Sequence, residues 1–95
     1  MAKIAVVGAG AFGTALAIYS RKIGHDVTVW CFEKDLPDLV TSTGENSIYL
    51  PGITVDSSIT WTTDPDQAVT NADLVLLVAP SAYIRTTAKL IADKI

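Results

Sequence analysis

One stretch near the amino terminus, Lys3-Ile4-Ala5-Val6-Val7-Gly8-Ala9-Gly10-Ala11-Phe12-Gly13, constrains the fold more than any other. Its first five residues are a short apolar run without alternation, which suits a strand buried on both faces of a parallel sheet. The run enters G-x-G-x-x-G, and apolar residues then recur at helical spacing. A turn this tight ahead of a helix leaves several backbone N–H groups without internal partners, beside the positive end of the helix dipole. Such a junction suits a phosphate.

Glycines also serve ordinary strand-to-helix turns, so the motif takes its weight from context. A strand precedes it, a helix follows, and a second buried-type strand, Val27-Thr28-Val29-Trp30, arrives within about 30 residues, as a dinucleotide-binding βαβ unit requires. In that reading Gly8 allows the tight turn, Gly10 the close approach of a pyrophosphate, and Gly13 the contact of helix with strand. Ala11 and Phe12 add N–H donors at the helix start. In the first helix, Phe12, Leu16, Tyr19 and Ile23 form an apolar stripe, small Gly13 and Ala17 permit close packing, and Gly24 stands where a left-handed cap is expected.

The rest of the chain repeats the alternation. Glu33, Lys34, Asp35 and Asp38 open a short helix through about Val40, with Lys34 and Asp38 one turn apart. Thr41 to Ser47 reads as loop, part of which can extend the helix, and Ile48-Tyr49-Leu50-Pro51-Gly52 as a turn. Ile59 to Thr62 is a third strand; Asp64-Pro65 caps and starts a helix through about Thr70. Leu74 to Ala79 is the most apolar strand, stopped by Pro80, and Ser81 caps a last helix with Ile84, Ala88, Ile91 and Ile95 on one face. The order β-α-β-α-β-α-β-α implies an α/β fold: a doubly wound parallel sheet of Rossmann type, incomplete at about four strands, with helices on both faces.

An acidic residue that grips a ribose is expected about 20 positions after the third glycine, and Glu33 meets that interval, although Trp30-Cys31 occupies the strand end itself. Its alternative is a first-turn carboxylate serving its own helix dipole, and the sequence leaves both open. A ribose 2′-phosphate calls for an Arg here; Phe32, Glu33 and Lys34 favour NAD instead. In the expected strand order the fourth strand lies beside the first, and Pro80 to Tyr83 forms the far wall of the crevice between their ends. Tyr83 either offers its ring to a dinucleotide or packs on the sheet edge. Cys31 reads as a small buried hydrophobe, His25 as a solvated turn residue without a second metal ligand, and Trp61 as core or sheet surface.

Composition narrows the classes. Seven basic against ten acidic residues give −3, with no basic patch to suit nucleic acid. No apolar run is long enough for a membrane span and no secretion signal opens the chain, so a cytoplasmic setting is the default expectation. A single cysteine excludes an internal disulfide.

With these residues in view, the chain resembles the NAD-dependent glycerol-3-phosphate dehydrogenases. The likeness rests on Gly8 through Ala15, on Val27 to Trp30, on Glu45-Asn46 followed by Tyr49-Leu50-Pro51-Gly52, and on Ala72-Asp73 through Pro80-Ser81. The N-x-x-Y-L-P-G segment discriminates, since other Rossmann dehydrogenases, such as ketopantoate reductases, share the glycines but not that loop. The resemblance implies interconversion of dihydroxyacetone phosphate and sn-glycerol 3-phosphate by hydride transfer with NAD. It implies that the glycines, Ala11 and Phe12 hold the pyrophosphate, that Phe32 lies by the adenosine, and that Tyr49 and Tyr83 line the crevice. Many bacterial members carry an Arg-like residue where Phe32 stands, and Val is usual at Ala79. The family's catalytic lysines and its Asp, Thr and Arg for substrate come later than Ile95, so no catalytic residue is assigned. Residues 1–95 therefore read as the N-terminal part of a dinucleotide-binding domain without the helical catalytic domain, inactive alone, with substrate bound only by the full-length enzyme. The alternatives are a non-catalytic module that associates with further copies through the apolar edge of the fourth strand, and the N-terminus of another Rossmann dehydrogenase such as a ketopantoate reductase.

Overall fold

The computed structural model describes residues 2–31 and 33–78. The elements are β1 (Lys3–Val7), α1 (Ala11–Lys22), β2 (Asp26–Trp30), α2 (Leu36–Thr43), β3 (Thr60–Thr62), α3 (Pro65–Val69) and β4 (Leu74–Leu77). The strands form one parallel sheet in the order β3-β2-β1-β4. Successive strands β1, β2 and β3 step one way, and β4 then returns to the other side of β1. The reversal creates a topological switch point at the C-terminal ends of β1 and β4, where ligands of open α/β sheets bind.

Alternation along β1 divides the core. Ile4 and Val6 face α1 and α2, in a cluster with Ala17, Val27, Val29, Leu36, Val40 and Trp61. Ala5 and Val7 face α3, with Trp30, Ala68 and Val69. Helices thus cover both faces, and β1 and β2 are buried on both. Val6, Val7, Val27 and Val29 are fully buried, and each contributes on the order of 1.5–3 kcal/mol by leaving water.

Local chemistry sets the boundaries. Asp64 caps α3 by accepting from the Asp66 N–H at 2.9 Å, with Pro65 in the first helical position. Gly24 (φ 101°) turns the chain after α1, and Gly44 (φ 72°) closes α2 with its N–H on the Val40 carbonyl at 2.8 Å. The second helix consequently takes in Thr41 to Thr43 and starts later than its acidic residues suggest. Glu33 lies in the bend ahead of it, and no Lys34–Asp38 ion pair forms.

The buried face of α1 differs from the apolar stripe. Phe12, Tyr19 and Ile23 are exposed; Gly13, Thr14, Ala17 and Ser20 are buried. Gly13 decides this rotation. A Cβ there would overlap the Gly8 carbonyl oxygen and lie 3.0 Å from the Gly8 carbonyl carbon and 3.2 Å from Val78 Cγ2. The helix rests so close to the turn that only its small-residue face fits. His25 is half-buried rather than solvated: its Nδ1 accepts from the Ala2 N–H at 3.0 Å. Trp61, left open as core or surface, is core.

Candidate functional site

The glycine loop sits at the switch point because β1 ends there. Gly8 takes φ 119° and donates its N–H to the Trp30 carbonyl at 3.0 Å, so the chain leaves the sheet in a conformation that side chains resist. Gly10 is the N-cap of α1, extended at φ −68° and ψ −174°, without a side-chain cap. The first helical bond runs from the Thr14 N–H to the Gly10 carbonyl at 2.9 Å. The N–H groups of Gly10, Ala11, Phe12 and Gly13 have no partner among the described residues. The first turn of α1 carries no acid, and a Cβ on Gly10 would meet nothing within 4 Å. A positive helix end, free donors, no competing carboxylate and open space suit an anion.

Glu33 and Tyr49 stand beside one another. Glu33 does not open the second helix, which removes the first-turn reading of its carboxylate. Its Oε2 is buried and has no hydrogen-bond partner among the described residues. The charge of this carboxylate, and after it burial, hold the Tyr49 phenol above its ordinary range. A carboxylate just beyond the second strand stands at the position where a ribose hydroxyl is met in such folds. Cys31 is buried, and desolvation, then the Glu33 charge, push its thiol up to about 12 against a hydrogen bond with the Thr62 backbone. It is chemically quiet at neutral pH. Phe32, Pro80 and Tyr83, and with them the last helix, lie outside the described residues.

In the sequence Asn46 is only one member of a motif, with nothing local to mark a role. The structure buries it completely. Its Nδ2 donates to the Ala9 carbonyl at 3.0 Å and to Thr14 Oγ1 at 2.8 Å, and its Oδ1 accepts from the Tyr49 N–H at 3.3 Å. Thr14 Oγ1 in turn donates to the Ala9 carbonyl at 3.2 Å. The Tyr49-Leu50-Pro51-Gly52 loop is thereby fastened to the glycine loop from below; its own turn is held by the Leu50 N–H on the Asn46 carbonyl at 2.8 Å and by the Gly52 N–H on Glu45 Oε2 at 3.1 Å. A separate cavity of about 300 Å³, lined by Val40, Val55, Ile59 and Trp61 among others, shares no residue with this site.

Strand, glycine turn and helix at a switch point define a dinucleotide-binding domain of Rossmann type. Residues 3–95 match the family model described as NAD-dependent glycerol-3-phosphate dehydrogenase N-terminus, and the chain belongs to that family. It is similar to the glycerol-3-phosphate dehydrogenase (NAD(P)+) of Maridesulfovibrio salexigens, 43% identical over 88% of this chain and 26% of the relative. The enzyme of the same name from a Geobacter species is 45% identical over 87% of this chain and 25% of its own length. Among solved structures, glycerol-3-phosphate dehydrogenase from Coxiella burnetii superposes with a TM-score of 0.81 at 30% identity, covering 95% of this chain and 29% of that one. The chain spans about a quarter of the length of the curated relatives it matches.

Proposed function

We propose that this chain binds the adenosine and pyrophosphate portion of NAD for a glycerol-3-phosphate dehydrogenase that interconverts dihydroxyacetone phosphate and sn-glycerol 3-phosphate. One observation carries the proposal: the row of unpartnered N–H groups from Gly10 to Gly13 at the switch point. These groups and the helix dipole hold the pyrophosphate, with Gly8 and Gly13 setting the turn. Glu33 accepts from the adenosine ribose hydroxyls through its carboxylate, a contact that a 2′-phosphate would repel, so NAD is preferred although the relatives are named for NAD(P)+. Phe32 lies by the adenosine, and Tyr49, Pro80 and Tyr83 line the crevice, as the resemblance implies. Bound NAD supplies the hydride acceptor of the reaction. The residues of this chain bind and orient; none of the described ones is offered as a proton donor, so turnover needs groups from the remainder of the enzyme.

Calorimetry with NAD and NADP on this chain tests the binding, with NAD expected to bind and NADP to bind more weakly. Absence of heat at millimolar NAD opposes the proposal. Dihydroxyacetone phosphate with NADH tests the division of labour: no turnover is expected, and measurable turnover by this chain would mean that catalytic groups lie within it.

A further inference from the structure

We propose that Asn46 is a positioning residue for the phosphate-binding loop, acting with Thr14 through the Ala9 peptide; the inference rests on the glycine loop being the pyrophosphate site. A peptide bond is planar and trans, so its C=O and N–H point in opposite directions. The Ala9 carbonyl is drawn inward by two donors, Asn46 Nδ2 at 3.0 Å and Thr14 Oγ1 at 3.2 Å. The N–H of the same peptide belongs to Gly10 and is thereby directed away from the core, to the side where the free donors of Ala11 to Gly13 begin. Gly10 alone cannot fix this orientation, because a Cβ there would meet no neighbour and glycine adopts many conformations.

Both polar atoms of the Asn46 side chain are used. One Nδ2 hydrogen serves Ala9, the other serves Thr14 Oγ1 at 2.8 Å, and Oδ1 accepts from Tyr49 at 3.3 Å. The geometry suits an amide and nothing else of that size. A carboxylate would set oxygen against the Ala9 carbonyl, and an aliphatic side chain would leave the Tyr49 N–H without its acceptor. The clamp bridges 37 residues of sequence to Ala9 and 32 to Thr14, so it also sets where the Tyr49 loop stands relative to the glycines.

The test uses the ¹⁵N-labelled chain, inorganic pyrophosphate as the probe, and the amide resonances of Gly10 to Gly13 as the readout. In the wild type these amides are expected to shift and saturate. Asn46→Ala is expected to weaken pyrophosphate by about tenfold or more, the scale of a lost buried hydrogen bond, while amides of β1 and β2 stay native-like. Thr14→Val weakens it less, and Thr14→Ser, which keeps the hydroxyl, restores it. If Asn46→Ala does not fold, the Thr14 pair decides. Wild-type affinity in a folded Asn46→Ala chain, or equal affinity for Thr14→Val and Thr14→Ser when only that pair can be read, overturns the positioning role and leaves the phosphate site standing. A wild type whose Gly10 to Gly13 amides ignore both pyrophosphate and NAD overturns the site and the inference together.

Discussion

Gly13→Ala is expected to cost stability, and Gly10→Ala to cost binding. A Cβ at position 13 overlaps the Gly8 carbonyl oxygen and crowds the Gly8 carbonyl carbon at 3.0 Å and Val78 Cγ2 at 3.2 Å. None of these can swing aside. Gly8 is tied to Trp30, and Val78 donates to the Val7 carbonyl at 2.9 Å, so α1 itself must withdraw from the sheet. Overpacking of this kind costs about 1–3 kcal/mol, toward the upper end against backbone, while the better helix propensity of Ala returns up to about 1 kcal/mol. A net loss near 2 kcal/mol lowers the melting temperature of a domain this size by roughly 8–16 °C. At Gly10 a Cβ meets nothing within 4 Å and φ is −68°, so only the weaker N-cap preference of Ala counts, less than about 1 kcal/mol. That methyl group instead occupies the open approach to the free N–H groups. Thermal melts followed by circular dichroism, with NAD calorimetry on both variants, separate the two effects. A Gly13→Ala chain that melts with the wild type, or a Gly10→Ala chain that is the less stable of the pair, would show that close packing at Gly13 does not set the seat of α1.

Three further outcomes follow from the same geometry. Glu33→Gln is expected to lower NAD affinity and, by removing the charge beside Tyr49, to bring that phenol down toward its ordinary range, which ultraviolet titration of tyrosinate reads; an unchanged Tyr49 titration would mean the two groups do not face each other. Cys31, with a folded value of about 12 against 9.0 for a free thiol, should resist a thiol reagent at pH 8 until the chain is unfolded. The folded state keeps this proton longer than the unfolded one, so the thiol's share of stability is whole below pH 9 and declines as pH rises toward 12, and rapid labelling of the native chain would contradict its burial. β4 pairs only with β1 among the described residues, and Leu74 and Leu77 are exposed, so sedimentation should show association that grows with concentration. A monomer at high concentration would oppose it.

The strands and the glycine turn were legible because each is a local signal: an apolar run, glycines at fixed offsets, Asp64-Pro65 at a helix start. The register of α1 was not. Two stripes compete on that helix, Phe12-Leu16-Tyr19-Ile23 and Gly13-Ala17-Ser20, and hydrophobicity selects the first, whereas the steric demand of the Gly8 turn selects the second. The interval singles out Glu33, but that it stands outside the second helix depends on where α2 begins, a matter of capping rather than of spacing. Asn46 was invisible as a working residue, since an Asn in a polar loop looks like loop. Its partners are 32 and 37 positions away, and only the fold brings them together. The pairing of a Thr just after the third glycine with an Asn ahead of Tyr49-Leu50-Pro51-Gly52 is the signal that could have found it.

The amide edge from Gly10 to Gly13 is expected to hold the pyrophosphate of NAD. Its most direct test is the ¹H–¹⁵N correlation spectrum of the labelled chain titrated with NAD. The expected result is a set of saturable shifts concentrated at Gly10, Ala11, Phe12 and Gly13, with smaller ones at Glu33 and Tyr49 and none along β3. Shifts that avoid the glycine loop, or gather around β3, would contradict it.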